Sequence, residues 1–134
     1  MKTWEILELK KMGDDLGYLV AIEEKTTIPF SIKRVFYVFD SKDGVVRGKH
    51  ANLNSKFLLT CGKGSCKVRV DNTEKNEIII LDSPEKALYL DNMVWKEMYD
   101  FSPDCGLIVI SDHHYDPDEY IYDYVEYCKL YKGM

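Results

Sequence analysis

The most chemically suggestive stretch is Arg47-Gly48-Lys49-His50-Ala51-Asn52-Leu53-Asn54-Ser55-Lys56. In an extended backbone, successive side chains alternate between faces, so His50, Asn52, Asn54 and Lys56 share one face while Ala51, Leu53, Ser55 and Phe57 share the other. One face therefore carries an imidazole that titrates near neutrality, two amides and an ammonium. On an outer surface that row is an ordinary solvated face. Lining the mouth of a small barrel, it is a polar ligand site able to move protons. Arg47 adds a second cation, and Gly48 permits an unusual backbone or a close ligand approach.

The elements that must position this row read as strands. Short runs rich in β-branched and aromatic residues occur at Leu19 to Glu23, Ile32 to Phe39, Phe57 to Thr60, Cys66 to Val70, Ile78 to Leu81, Ala87 to Leu90, Trp95 to Phe101 and Leu107 to Ile110. Turn signals separate them, among them Ser41-Lys42-Asp43-Gly44, Cys61-Gly62-Lys63-Gly64 and Ser102-Pro103-Asp104. Many short strands at this spacing predict an all-β sandwich or barrel, with a jelly roll prominent among the options. The 134 residues, 46% of them hydrophobic, suit a single domain spanning 1–134.

The tail departs from this pattern. Asp116 as N-cap, Pro117 at the first helical position and Glu119 closing a capping box predict one C-terminal α-helix over about 117–132. Ile121, Tyr124, Val125 and Cys128 recur at helical spacing, widened by Tyr120, Tyr127 and Tyr131, as expected of a helix laid on a barrel.

Net charge is −5, which disfavours nucleic acid and membrane surfaces as partners, since both call for a basic face. No stretch resembles a signal peptide or a bilayer span, so a cytoplasmic location is expected. Cys61, Cys66, Cys105 and Cys128 lack C-x-x-C spacing and read as free thiols of a reducing compartment.

From Leu19 onward the chain resembles the dTDP-4-keto-6-deoxyglucose 3,4-ketoisomerases, small cupins of the WxcM-like group. The resemblance rests on Leu19-Val20-Ala21-Ile22-Glu23-Glu24, Ile28 to Asp40, Arg47-Gly48-x-His50-Ala51, Gly64-Ser65-Cys66-Lys67-Val68, Leu81-Asp82-Ser83-Pro84, Val94-Trp95-x-Glu97-Met98 and Asp116 to Tyr120. It implies a cupin fold, a double-stranded β-helix jelly-roll barrel. It further implies a homodimer that binds a dTDP-linked 4-keto-6-deoxy sugar and feeds the synthesis of 3-amino-3,6-dideoxy sugars for surface glycans such as O-antigen and lipopolysaccharide. Family members carry two histidines in Arg-Gly-x-His-Ala-His; here the second position is Asn52.

No metal or other cofactor is expected. The metal-binding cupin pattern needs two histidines and a carboxylate where this chain has His50, Asn52 and Lys56, and His113-His114 lies far along the chain. Moving a ketone from C4 to C3 needs a base near neutrality, assigned to His50, with Tyr37 and Asn52 as further catalytic candidates. The expected substrate contacts are Arg34 and Arg47 on the diphosphate, Lys49, Asn54 and Lys56 on the polar face, Trp95 as a stacking surface, and Lys96 near the reacting sugar. Two alternatives stay open: an epimerase on the same barrel, and a sugar-nucleotide-binding cupin without turnover, which Asn52 favours.

Overall fold

Phe57-Leu58-Leu59-Thr60-Cys61 is buried at every position, a pattern that only a strand covered on both faces produces. The computed structural model describes residues 1–134 and shows how that covering is built. The strands of the first half are β1 (Trp4–Glu8), β2 (Lys11–Asp14), β3 (Gly17–Val20), β4 (Arg34–Val38), β5 (Arg47–Asn52) and β6 (Phe57–Lys63). Those of the second half are β7 (Cys66–Asp71), β8 (Asn76–Leu81), β9 (Lys86–Leu90), β10 (Trp95–Tyr99), β11 (Gly106–Ser111) and β12 (Tyr120–Ile121), followed by helix α1 (Tyr124–Lys132).

Two five-stranded sheets, ordered β1-β9-β6-β11-β4 and β12-β5-β10-β7-β8, face one another in a cupin-like β-sandwich. Alternation sends Phe57, Leu59, Leu88, Leu107 and Val109 from the first sheet against Val68, Val70, Ile79, Leu81 and Met98 from the second. The opposite faces are covered too. Leu9, Ile28 and Phe30 of the N-terminal segment close over Leu58, Ala87 and Ile110. On the second sheet, Tyr127 of α1 and Ile121 close over Ala51, Met93 and Trp95. The hairpin β2–β3 stands apart as its own two-stranded sheet. No helix is long and apolar enough to cross a bilayer.

The tail differs from the continuous helix that its spacing predicts. Asp116 does cap, accepting from the Asp118 amide at 3.0 Å, but it caps only a 3-10 turn over Pro117–Glu119. Glu119 does not reach back to close a capping box. It turns inward, where its carboxylate accepts from the amides of Asn54 (3.0 Å) and Ser55 (2.8 Å) and from the Ser55 hydroxyl. Tyr120 and Ile121 then pair with Asn52 and Ala51, so the chain must leave helical geometry. A second cap, Asp123, restarts it as α1 by accepting from the Val125 and Glu126 amides. The new register buries Tyr127 and leaves Val125 exposed. The Tyr127 hydroxyl sits 2.8 Å from the Met93 carbonyl and 3.0 Å from that of Asp71.

One irregularity governs the mouth. Lys96 pairs with His50 and Glu97 with Gly48, so Lys49 is an extra residue bulged out of β5. Gly48 (φ +82°) and Lys49 (φ +56°) both adopt left-handed backbone. A Cβ at position 48 would lie 2.9 Å from the Lys96 carbonyl oxygen, so glycine is required for strand pairing here as well as for its dihedral angle.

Candidate active site

The bulge sets His50 directly across from Lys96 on the inward face of the second sheet. Asn52, two residues on from His50, completes the row, and its Oδ1 accepts from Lys96 Nζ at 3.0 Å. The ammonium also lies 4.2 Å from the ring centre of Phe57, a cation–π contact at the start of β6. From the facing sheet, Arg34 on β4 donates to the Tyr120 hydroxyl at 3.4 Å and lies over the rings of Phe36 (5.2 Å) and Tyr115 (5.5 Å). Tyr120 and Tyr122 stack on one another and present edges to His50, with ring centres 4.8 and 5.7 Å from the imidazole.

Of the residues singled out from the sequence, His50, Asn52, Arg34 and Lys96 come together here. The others do not. On β4, Arg34, Phe36 and Val38 point inward, so Tyr37 points out, 68% exposed and beside Phe39. On β10, the inward turn of Lys96 forces Trp95 to the opposite face, under α1, where its Nε1 donates to Glu97. Trp95 therefore has no access to a sugar in the mouth. Arg47 and Lys49 are exposed to solvent, and Arg47 Nε donates to Ser41 Oγ at 3.4 Å. The extended row stops at Asn52, because Glu119 draws Asn54 and Ser55 into a turn. Asn54 is exposed, and Lys56 is tied through its backbone amide to Asp112.

Tyr115, Tyr120, Tyr122 and Glu119 belong to the site but escaped the sequence reading. From the sequence, Tyr120 is assigned to packing and Glu119 to a capping box, and the run of tyrosines around Pro117 is the signal for the other two.

The electrostatics follow from burial without an opposing charge in direct contact. Lys96 is 4% exposed, and its ammonium falls from the ordinary lysine value to about 7. Desolvation is the main cause; the Glu119 carboxylate opposes it and Arg34 reinforces it. His50 is lowered to about 3, first by burial and then by Lys96, with Asn52 pulling the other way and Arg34 adding to the fall. The imidazole is thus neutral at pH 7, but a weaker base than the near-neutral one expected from the sequence. Burial alone would raise Glu119, yet hydrogen bonds from Ser55 and Asn54 hold it below the usual carboxylate range, so it remains an anion behind the site. Three buried atoms have no hydrogen-bond partner: His50 Nδ1, Asn52 Nδ2 and Arg34 Nε. Orphans of this kind are rare in folded proteins, and three from neighbouring side chains mark a ligand site.

An inward-facing acid–base cluster among tyrosines, at the mouth of a small jelly roll, defines a proton-transferring cupin. Residues 2–132 match the family described as FdtA, WxcM-like, C-terminal, and the chain belongs to that family. It is 45% identical over 125 residues, 93% of this chain and 90% of the relative, to TDP-4-oxo-6-deoxy-alpha-D-glucose-3,4-oxoisomerase from Aneurinibacillus thermoaerophilus. Among solved structures it resembles WlaRA, a TDP-fucose-3,4-ketoisomerase from Campylobacter jejuni, with TM-score 0.91 and 42% identity, covering 98% of this chain and 97% of that one. It also resembles QdtA, a sugar 3,4-ketoisomerase from Thermoanaerobacterium thermosaccharolyticum solved with TDP. There the TM-score is 0.94 and the identity 35%, over 97% and 95% of the two chains. A variant of QdtA is known in complex with TDP-4-keto-6-deoxyglucose.

The folded pKa of Lys96, about 7, lies below its unfolded value of 10.5, so the unfolded chain holds more protons in that window and stability rises with pH across it. Lys96→Met removes this penalty and leaves the Asn52 amide oxygen without its donor. The expected net effect at pH 7 is a gain of roughly 2–3 kcal/mol in unfolding free energy, shrinking as pH rises. Urea titrations at several pH values read this out, and a variant no more stable than the parent would refute it.

Proposed function

We propose that this chain is a sugar-nucleotide 3,4-ketoisomerase that converts TDP-4-keto-6-deoxyglucose to the 3-keto isomer. The pairing of a neutral His50 with a low-pKa Lys96 carries this reading, supported by the activity named for its 45%-identical relative. The reaction moves one proton from C3 to C4 and one from the C3 oxygen to the C4 oxygen. His50 takes the C3 proton, and the Lys96 ammonium protonates the C4 oxygen as the enediol forms. The resulting amine then receives the proton from the C3 oxygen, and His50 returns its proton to C4. Every proton removed is restored, so the product is an isomer and no external acid or redox partner is consumed.

An amide at position 52 cannot shuttle a proton at neutral pH, but as acceptor for Lys96 Nζ it aims the amine that can. A lysine near pKa 7 is well matched to giving and taking the same proton, and Arg34 supplies the guanidinium for the diphosphate. The 3-keto product is the substrate form that a pyridoxal-dependent aminotransferase needs to make a 3-amino-3,6-dideoxy sugar for surface glycans. The four free thiols fit a cytoplasmic setting.

We also propose that the protein is a homodimer. β4 is an edge strand exposing Val35 and Tyr37, with Phe39 just beyond its end, and the separate β2–β3 hairpin exposes Met12, Tyr18 and Leu19. Sedimentation should give twice the chain mass, and Val35→Lys combined with Tyr37→Lys should shift it toward monomer. A monomeric parent would end this proposal.

Proton NMR in deuterated buffer with TDP-4-keto-6-deoxyglucose tests the activity directly. Carbonyl migration to C3 is expected, with loss of at least ~10²-fold in rate for His50→Gln. Deuterium entering at C3 without carbonyl migration would instead make the protein an epimerase, and no turnover would make it a binding protein. In the parent, kcat/KM should fall on the alkaline side with an apparent pKa near 7, as Lys96 loses its proton. Lys96→Arg should move that limb upward; an unmoved limb would remove Lys96 from the proton path.

A further inference from the structure

At the other end of the sandwich, three cysteines meet. Cys61 ends the buried part of β6, Cys66 opens β7 and Cys105 immediately precedes β11. Cys61 Sγ lies 3.7 Å from Cys66 Sγ and 3.6 Å from Cys105 Sγ, and all three sulfurs fall within 4.8 Å of one another. All are free thiols, at most 5% exposed, in the same apolar core as Leu81, Phe101 and Leu107. Cys61 lies four positions along β6 from Phe57, where the Lys96 ammonium sits, so the cluster is about 13 Å from the proposed proton-transfer site. Only two turns cover it. The Ser65 amide donates to Ser102 Oγ and the Ser102 amide to the Ser65 carbonyl, each at 2.9 Å, locking the Gly62–Ser65 turn to the Ser102–Cys105 turn.

We propose that Cys61, Cys66 and Cys105 form a tris-thiolate site for a trivalent thiophilic metalloid, with arsenic(III) as its type. A point equidistant from the three sulfurs lies about 2.1 to 2.4 Å from each, bracketing the ~2.3 Å of a zinc–thiolate bond, so the cluster needs little movement to close on one centre. Charge then selects the ion. Three thiolates on a trivalent centre are neutral, whereas a divalent ion would leave a net negative charge in apolar surroundings. A tetrahedral divalent ion also wants a fourth ligand, and no imidazole or carboxylate joins the cluster. Soft sulfur donors prefer soft centres on general grounds.

The chemistry is a condensation without redox. Arsenous acid exchanges its three hydroxyls for three sulfurs, and each hydroxyl leaves as water with the proton of one thiol. Entry requires the two covering turns to part, which makes uptake slow compared with that of an exposed dithiol.

The test uses the full chain, reduced, with sodium arsenite and native mass spectrometry. One arsenic per chain is expected, with the loss of three protons and three sulfur neighbours at the arsenic X-ray absorption edge. Cys128 lies outside the cluster, so Cys128→Ala should bind as the parent does, while Cys61→Ala, Cys66→Ala and Cys105→Ala should each weaken uptake at least tenfold. Zinc alone should not bind. No adduct on the folded parent, fewer than three sulfur neighbours, an adduct lost in Cys128→Ala, or zinc taken up in preference would each overturn the proposal. Circular dichroism checks the variants, and where one fails to fold the sulfur count on the parent decides.

Discussion

An ammonium buried against an amide, with no carboxylate in contact, is the constraint around which this protein is arranged. Lys96 has one hydrogen-bond acceptor, Asn52, and one aromatic face, Phe57. Arg34 adds another positive charge nearby, while the anion of Glu119 is taken up by Ser55 and Asn54. Had Glu119 paired directly with Lys96, the ion pair would hold the amine protonated well above neutrality. Spending the carboxylate on backbone amides keeps it close enough to moderate the amine but not to neutralise it.

Glu119 therefore links folding to chemistry. Its hydrogen bonds end the extended row after Asn52, pull the tail out of helix, and bring Tyr120 alongside β5. The same turn that satisfies the carboxylate delivers the tyrosine that meets both His50 and Arg34. The helix beyond it packs Tyr127 on Trp95, fixing the outer face of β10 and with it the inward aim of Lys96. Stability is given up locally at Lys96 and recovered in this surrounding packing, a pattern common where function needs an uncomfortable group.

Much of this was legible in the sequence. The all-β architecture followed from strand spacing, and His50, Asn52, Arg34 and Lys96 do come together at one mouth of the sandwich. The errors share one cause. Tyr37 and Trp95 are the right residue types on the right strands, but which face a residue occupies depends on register, and register is set by pairing partners far along the chain. Arg47 and Lys49 fail for a related reason, since the bulge is fixed by Gly48 meeting the β10 backbone. Glu119 was read locally, as a capping residue, although its partners lie more than sixty positions away. β1 and β2 were overlooked because their outward residues are largely exposed and Lys-rich or Glu-rich, leaving too little apolar alternation to see.

The bulge at Lys49 acts as a phase shifter in β5. Arg47 and Gly48 keep their register with Met98 and Glu97, while His50 follows one displaced by a residue. The mouth and the body of the barrel are thereby uncoupled along a single strand. Were Lys49 paired into the ladder instead of bulged out, it would face Lys96 in place of His50, and the imidazole would turn toward α1 while Ala51 pointed into the mouth. The backbone turn at Gly48 and Lys49 therefore decides which face of β5 the imidazole occupies.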